Sequence, residues 1–247
     1  MHRVLLRVGP FEVLSYSVFW SLALLAWALW YRRRAVLAGK DPVLASRAAA
    51  VAMAGAFLGA KVGGYFEYWS YFLAHPDRIW RVWESGMVSG TAILGGALAS
   101  IWYLRRRGED MWAWGEIVSV PTPFMLSLGR IGCFLNGCCY GVRCDLPWCV
   151  VFPGLPGARH PTQLYYVLGN GLIFLLLFAL ERRIPPLARR ERPLLFPLFL
   201  LLYGLMRLSV DFLREGDRIL GLRVAQWTAL VALGVALYAR KRVRLKA

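Results

Sequence analysis

Apolar residues in this chain do not alternate as in a half-buried strand, nor recur as the single stripe of a surface helix. They run in long blocks broken by short polar punctuation. Seven blocks stand out, at roughly 12–31, 48–66, 87–104, 114–132, 163–180, 194–212 and 224–239. A helix rises ~1.5 Å per residue, so ~20 apolar residues cover the ~30 Å of a bilayer's hydrocarbon. The pattern predicts an all-α integral membrane protein of about seven transmembrane helices. It forms one polytopic domain over residues 1–247, with long loops at about 67–86 and 133–162. The second block carries Gly55, Gly59 and Gly63, and the third Gly86, Gly90, Gly95 and Gly96. Small residues at such spacing let helices approach closely, or leave room for a lipid beside them.

Composition agrees with the pattern. Of 247 residues, 58% are hydrophobic, and the mean hydropathy of +0.49 exceeds what a soluble domain of this size usually reaches. The formal charge of +16 would suit a nucleic-acid binder if the basic residues formed one face. Instead they cluster after every second block: Arg32, Arg33, Arg34, Lys40 and Arg47, then Arg105, Arg106 and Arg107, then Arg182, Arg183, Arg189, Arg190 and Arg192, and finally Arg240, Lys241, Arg242, Arg244 and Lys246. That is the positive-inside signature. It excludes nucleic acid as the partner, and it places the N-terminus outside and the C-terminus in the cytoplasm. The first block is not a cleaved leader, because its basic cluster follows the apolar stretch.

Both long loops then face outward, and the chemistry gathers at that side. An ionisable side chain at membrane depth costs ~2.5–3.5 kcal/mol on insertion scales, so it normally faces a partner or a cavity. Lys61, Arg130, Arg207 and Asp211 are such residues. Arg207 and Asp211 are four apart on one helix face and suit an internal pair. Lys61, near a helix end, can snorkel to the interface. Arg130, in the stretch GRIGCFLNGCCYG (129–141), has no acid within a helical turn. Its planar fork of donors matches phosphate, and the abundant phosphates of a bilayer belong to lipids. The stretch RHPTQLYY (159–166) adds His160 and Gln163 where a helix begins. All five cysteines, Cys133, Cys138, Cys139, Cys144 and Cys149, fall in the second outer loop. On an oxidising face they suit a disulfide, with Cys144 bonded to Cys149, or to Cys138 or Cys139; small apolar filling by Cys133 and Cys139 is the alternative. Metal binding by the cysteines is a third possibility, though no histidine spacing supports it.

Taken in order, RVWESGM (81–87), GRIGCFLNGCCYG, RHPTQLYY and YGLMRLSVDFLREGD (203–217) resemble motifs of the bacterial prolipoprotein diacylglyceryl transferases, over about Tyr16 to Arg214. The resemblance implies an enzyme of the bacterial inner membrane that needs no cofactor. Such an enzyme transfers a diacylglyceryl group from phosphatidylglycerol to the lipobox cysteine thiol of a prolipoprotein, working in the outer leaflet among membrane lipids. Arg130 matches the head-group arginine of the Gly-Arg signature, Asn136 its second asparagine and Gly141 its closing glycine. Arg207 matches the essential arginine of the sixth span, with Asp211 where glutamate is usual and Arg214 following in the same motif. Tyr16 matches a tyrosine of the first span, His160 and Gln163 the His-Pro-Ser-Gln-Leu-Tyr motif, and Lys61 stands where arginine is usual. The resemblance therefore makes Arg130, Arg207 and His160 catalytic candidates, and Tyr16, Lys61, Asn136, Gln163, Asp211 and Arg214 substrate-binding ones. Gly90 stands at the family's histidine position, Cys133 and Cys138 replace an asparagine and a glutamate, and Tyr166 replaces another glutamate. The second reading is a paralogue that binds phospholipid or lipoprotein without this transfer.

Overall fold

The computed structural model describes residues 1–9, 11–67, 69–80, 88–189, 193–214, 221–222 and 224–245. The motif RVWESGM lies wholly outside them, as do residues 215–217 of the last motif, Arg190, Arg192 and Lys246. The chain opens with an antiparallel hairpin, β1 (Val4–Val8) and β2 (Phe11–Leu14). Helices follow: α1 (Ser15–Leu37), α2 (Pro42–Glu67), short α3 (Trp69–Ala74), α4 (Ser89–Arg106), α5 (Met111–Ser119), α6 (Pro121–Asn136), α7 (Thr162–Glu181), α8 (Leu195–Asp211) and α9 (Val224–Leu245). Between α6 and α7, β3 (Val150–Val151) pairs with β4 (Ala158–Arg159).

Each apolar block thus became helix, with three differences from the expectation. Residues 12–14 belong to the hairpin instead of the first helix, which runs on through its basic cluster to Leu37. The block at 114–132 is two helices meeting at 45°, because Pro121 has no N–H to continue the ladder of α5. The loop expected from 67 contains α3 and a 3₁₀ turn, Pro76–Trp80. Among the described residues, two helices are by length and composition apolar enough to cross a membrane, within Pro42–Phe66 and Thr162–Glu181, or three if α5 and α6 count as one bent span.

Polar side chains at the helix ends explain where these helices start. Asp41 accepts from Val43 N and Leu44 N ahead of Pro42, and Asp110 accepts from Trp112 N. Glu116 lies buried on α5, where its Oε1 accepts from Leu194 N and Phe196 N at 2.8 Å and so caps α8. Around this end, Trp27, Tyr31, Leu104, Trp114 and Ile117 form one apolar cluster. Leucines on the outside tell the opposite story: Leu25 is 58% exposed and Leu172 67% exposed. An apolar exterior around buried arginines inverts the soluble pattern and fits a hydrocarbon solvent.

The glycines of α2 are explained by contact with α4. A side chain at Gly55 would lie 2.6 Å from the Gly95 carbonyl, and one at Gly59 would meet the Thr91 carbonyl. The seam is closed by backbone packing against backbone, so it leaves no slot for a lipid between these helices. Lys61 sits in the same pair, buried, one residue beyond the Ala60 carbonyl that accepts from Val88 N at the head of α4. Gly90 is buried in the first turn of α4.

Candidate active site

Helix α6 lies between α1 and α7. On one side Gly129 and Gly132 let α1 close in: added Cβ atoms would stand 2.8 Å from the Trp20 ring and from Phe19 Cβ. Arg130 is thereby turned to α7, where its guanidinium carbon stands 4.6 Å over the Tyr166 ring. The residue is only 7% exposed. Among the described residues Arg130 makes no hydrogen bond and no ion pair; its contact is that aromatic face, worth about 0.5–2 kcal/mol.

Arg34, at the other end of α1, shows what a structural arginine looks like in this fold. Its Nε donates to Ile117 O and its Nη2 to Glu116 O, both at 2.7 Å, and Nη1 pairs with Glu181. It lines a cavity of about 520 Å³ with Trp30, Arg33 and Phe178, but its donors are taken up by protein acceptors. Those of Arg130 are not.

Tyr166 joins Arg130 to the end of α8. Its hydroxyl donates to Asp211 Oδ1 at 3.4 Å, and Arg214 Nη1 stands 4.0 Å from the same oxygen. One turn before Asp211, the buried Arg207 donates from Nη1 to Tyr203 OH at 2.9 Å. Arg130, Arg207 and Arg214 all lie within electrostatic range of Tyr166, with Asp211 as the carboxylate of the group. Among the described residues, three guanidinium groups around one aspartate make this end positive.

The chain after α6 folds back over the site. Gly137 ends the helix at φ +73°, the left-handed region where a side chain would be strained. Gln163 Nε2 then donates to Cys138 O at 2.6 Å and Thr162 Oγ1 to Cys139 O at 2.7 Å, which fixes the loop to the start of α7. Gly141 N donates to His160 O and Val142 N to Leu213 O, tying the loop to α8 as well. A side chain at Gly141 would press on His160 Cβ and Thr162 Cγ2, both 2.8 Å away. Gln163 Oε1 is buried without a partner. Asn136 lies beside the Cys138 thiol. Tyr16, half-buried at the start of α1, lies near the Cys133, Cys138 and Cys139 thiols and Arg130. Hydrogen bonds with Cys133 and Cys138 hold the Cys139 thiol well below its usual range, against burial, with Arg130 and Arg214 adding to the effect.

Of the pairings open to the cysteines, Cys144–Cys149 is the disulfide, with Cα atoms 6.1 Å apart. Cys133, Cys138 and Cys139 are free, so the expectation that Cys138 or Cys139 bonds to Cys144 does not hold. The Gln163 and Thr162 bonds hold both cysteines at the α7 start, whereas Cys144 is drawn to β4 by its bond to Ala158 O. His160 is placed toward the disulfide: Nδ1 is 3.0 Å from Tyr165 OH, which also accepts from Trp148 Nε1, and the ring lies beside the Cys144 and Cys149 sulfurs.

A sequence model of the prolipoprotein diacylglyceryl transferases matches residues 3–240. A phosphatidylglycerol–prolipoprotein diacylglyceryl transferase of Geobacter sulfurreducens is 37% identical over 228 residues, covering 89% of this chain and 84% of its own. Proteins of that name from Aromatoleum aromaticum and Rhodospirillum rubrum are 34% and 33% identical; each alignment covers 95% of this chain, and 93% and 84% of the respective relatives. The chain belongs to the prolipoprotein diacylglyceryl transferase family.

Within this family member, the structure brings Tyr16, Arg130, Asn136, Gln163, Arg207, Asp211 and Arg214 to one end of the bundle through the contacts above. Lys61 belongs to the α2–α4 pair, and His160 to the disulfide side of the outer loop. Sequence reasoning missed Tyr203 and the central place of Tyr166. Helical spacing carried the signal: Tyr203 is four before Arg207, and Tyr166 three after Gln163.

Proposed function

We infer that this protein transfers the diacylglyceryl group of phosphatidylglycerol to the lipobox cysteine thiol of a prolipoprotein. The observation that carries the reading is Arg130, a buried arginine whose donors meet no acceptor among the described residues. The reaction makes a sulfur–carbon bond at the glyceryl carbon and breaks the bond from that carbon to phosphate oxygen, so glycerol phosphate leaves. Charge grows on the departing phosphate, and donors already aimed at it need no reorganisation. Arg130 and Arg207 fill this role, with Arg214 adding to the field. Tyr16, Asn136 and Gln163 contact the glycerol head group, with the free Oε1 of Gln163 as acceptor for a hydroxyl. Asp211 holds Tyr166 and Arg214 in register.

The incoming thiol must react as thiolate. The positive field of this end favours that form, and the departing phosphate accepts the proton. His160 acts as a positioning residue, holding the outer loop on α7 through Tyr165. Relatives with the transferase name match 89–95% of the chain, and no observation favours a paralogue without this chemistry. The seven helix-forming blocks and their alternating basic clusters support seven crossings of the inner membrane, N-terminus outside and C-terminus cytoplasmic. This leaves lipids around the bundle and no nucleic acid as partner. The test is direct: purified protein in phosphatidylglycerol vesicles is given a lipobox peptide, and the peptide's mass is followed. Gain of one diacylglyceryl group is expected; no gain with folded protein refutes the reading.

A further inference from the structure

Three free thiols at the end of α6 have no role in the transfer. The sulfurs of Cys133, Cys138 and Cys139 all lie within 4.8 Å of one another. Around a metal with bonds of ~2.3 Å, three sulfurs in a trigonal plane stand roughly 4.0 Å apart. The cluster needs to contract by less than about 1 Å to reach that arrangement, which is within side-chain rotation.

The backbone already holds it. Cys133 rides the last turn of α6, and Cys138 N returns to its carbonyl at 3.2 Å. Gln163 and Thr162 fix the carbonyls of Cys138 and Cys139, and Cys139 itself takes φ +65°. Among the described residues no histidine or carboxylate joins this sulfur group. An all-sulfur set selects soft cations over magnesium, calcium or manganese, and three donors without a fourth suit Cu(I) better than tetrahedral Zn(II).

We propose that Cys133, Cys138 and Cys139 form a three-thiolate site for a soft monovalent cation of the Cu(I) class. Binding releases to solvent the protons that Cys133 and Cys138 still carry, and three thiolates around one monovalent cation leave a net double negative charge. Arg130 and Arg214, which already face Cys139, balance it. No change of metal oxidation state is involved, and the proposal does not depend on the transfer reaction.

The experiment uses the full-length protein, reduced and metal-free in detergent with the Cys144–Cys149 disulfide removed by the double substitution Cys144→Ser/Cys149→Ser. It is titrated with Cu(I) against a coloured Cu(I) chelator. One equivalent should be withheld from the chelator, with a thiolate-to-metal absorption band in the near ultraviolet. Cys139→Ser in that background should weaken binding at least ~100-fold. Cys138→Ser, at a half-buried position, should do the same if Cys139→Ser reduces folded yield. Loss of all copper to the chelator overturns the proposal, as does a cysteine variant that binds like its parent. So does Zn(II) held in a way that Cu(I) cannot displace. Finally, two of the three thiols found oxidised to each other in freshly isolated protein would also exclude the site.

Discussion

If Arg130 grips a lipid phosphate, shortening it to lysine should be nearly as damaging as removing it. A guanidinium presents two parallel N–H donors to phosphate oxygens, each charge-assisted bond contributing ~1.5–3 kcal/mol. Losing both costs about 3–6 kcal/mol, or roughly 10²–10⁴ in binding to the phosphate and its transition state at ~1.4 kcal/mol per tenfold. Lysine keeps the charge but not the fork. Arg130→Lys should therefore lose most of that factor, within about tenfold of Arg130→Ala. The fold should tolerate both changes. With no protein acceptor to strand, the loss is the Tyr166 contact and some packing, about 1–2 kcal/mol. The assay is lipobox-peptide transfer from phosphatidylglycerol vesicles together with lipid retention by the purified variants, with folded yield as control. An Arg130→Ala protein that holds phosphatidylglycerol like the parent would show Arg130 to be structural and sink the argument. Transfer by Arg130→Lys within about threefold of the parent would refute the need for a fork.

Four other outcomes follow from particular contacts. A reporter fused after Lys246 should be active only in the cytoplasm, and Cys144 should react with an impermeant thiol reagent once its disulfide is reduced; a reporter active outside overturns the topology. Gly59→Leu forces a side chain into the Thr91 carbonyl of α4, so it should cost at least about 1–3 kcal/mol and lower the folded yield, whereas an unchanged melting temperature would mean that α2 and α4 are not held together there. Burial alone would raise the Glu109 carboxyl, but hydrogen bonds from Lys40 and Trp114 outweigh it and hold the group below its usual value. That stabilisation is full above the unfolded carboxylate value of about 4.3 and fades as pH falls through the lower folded value, so Glu109→Gln should flatten thermal stability across this acid range; identical curves for variant and parent would discount the clasp. His160→Gln should slow transfer while keeping the parent's pH profile, because the residue positions the loop; loss of the acid limb would instead make His160 the thiol base.

How much of this protein its sequence determines by itself follows from which forces are local. The helices and their order were legible because a block of apolar residues has few alternatives once backbone groups must be satisfied without water. The break at Pro121, lying in the middle of an apolar block, is equally a local property of proline, though the pattern alone does not mark it. Arg130 and Arg207 announced themselves because charge is rare at that depth. Their relation did not. Arg130 meets Tyr166 across 36 residues and Tyr166 meets Asp211 across 45, and nothing local sets the rotation of α6 that brings them together; Gly129 and Gly132 packed on α1 do. The same holds for the cysteines. Their crowding in one loop is plain in the sequence, but pairing depends on which carbonyls Thr162, Gln163 and Ala158 anchor or face. The side of the loop to which His160 turns depends equally on Tyr165 and Trp148. Pairwise contacts of this kind arise from helix packing and loop closure, long-range events that leave no periodic trace in the chain, so only the tertiary structure decided them.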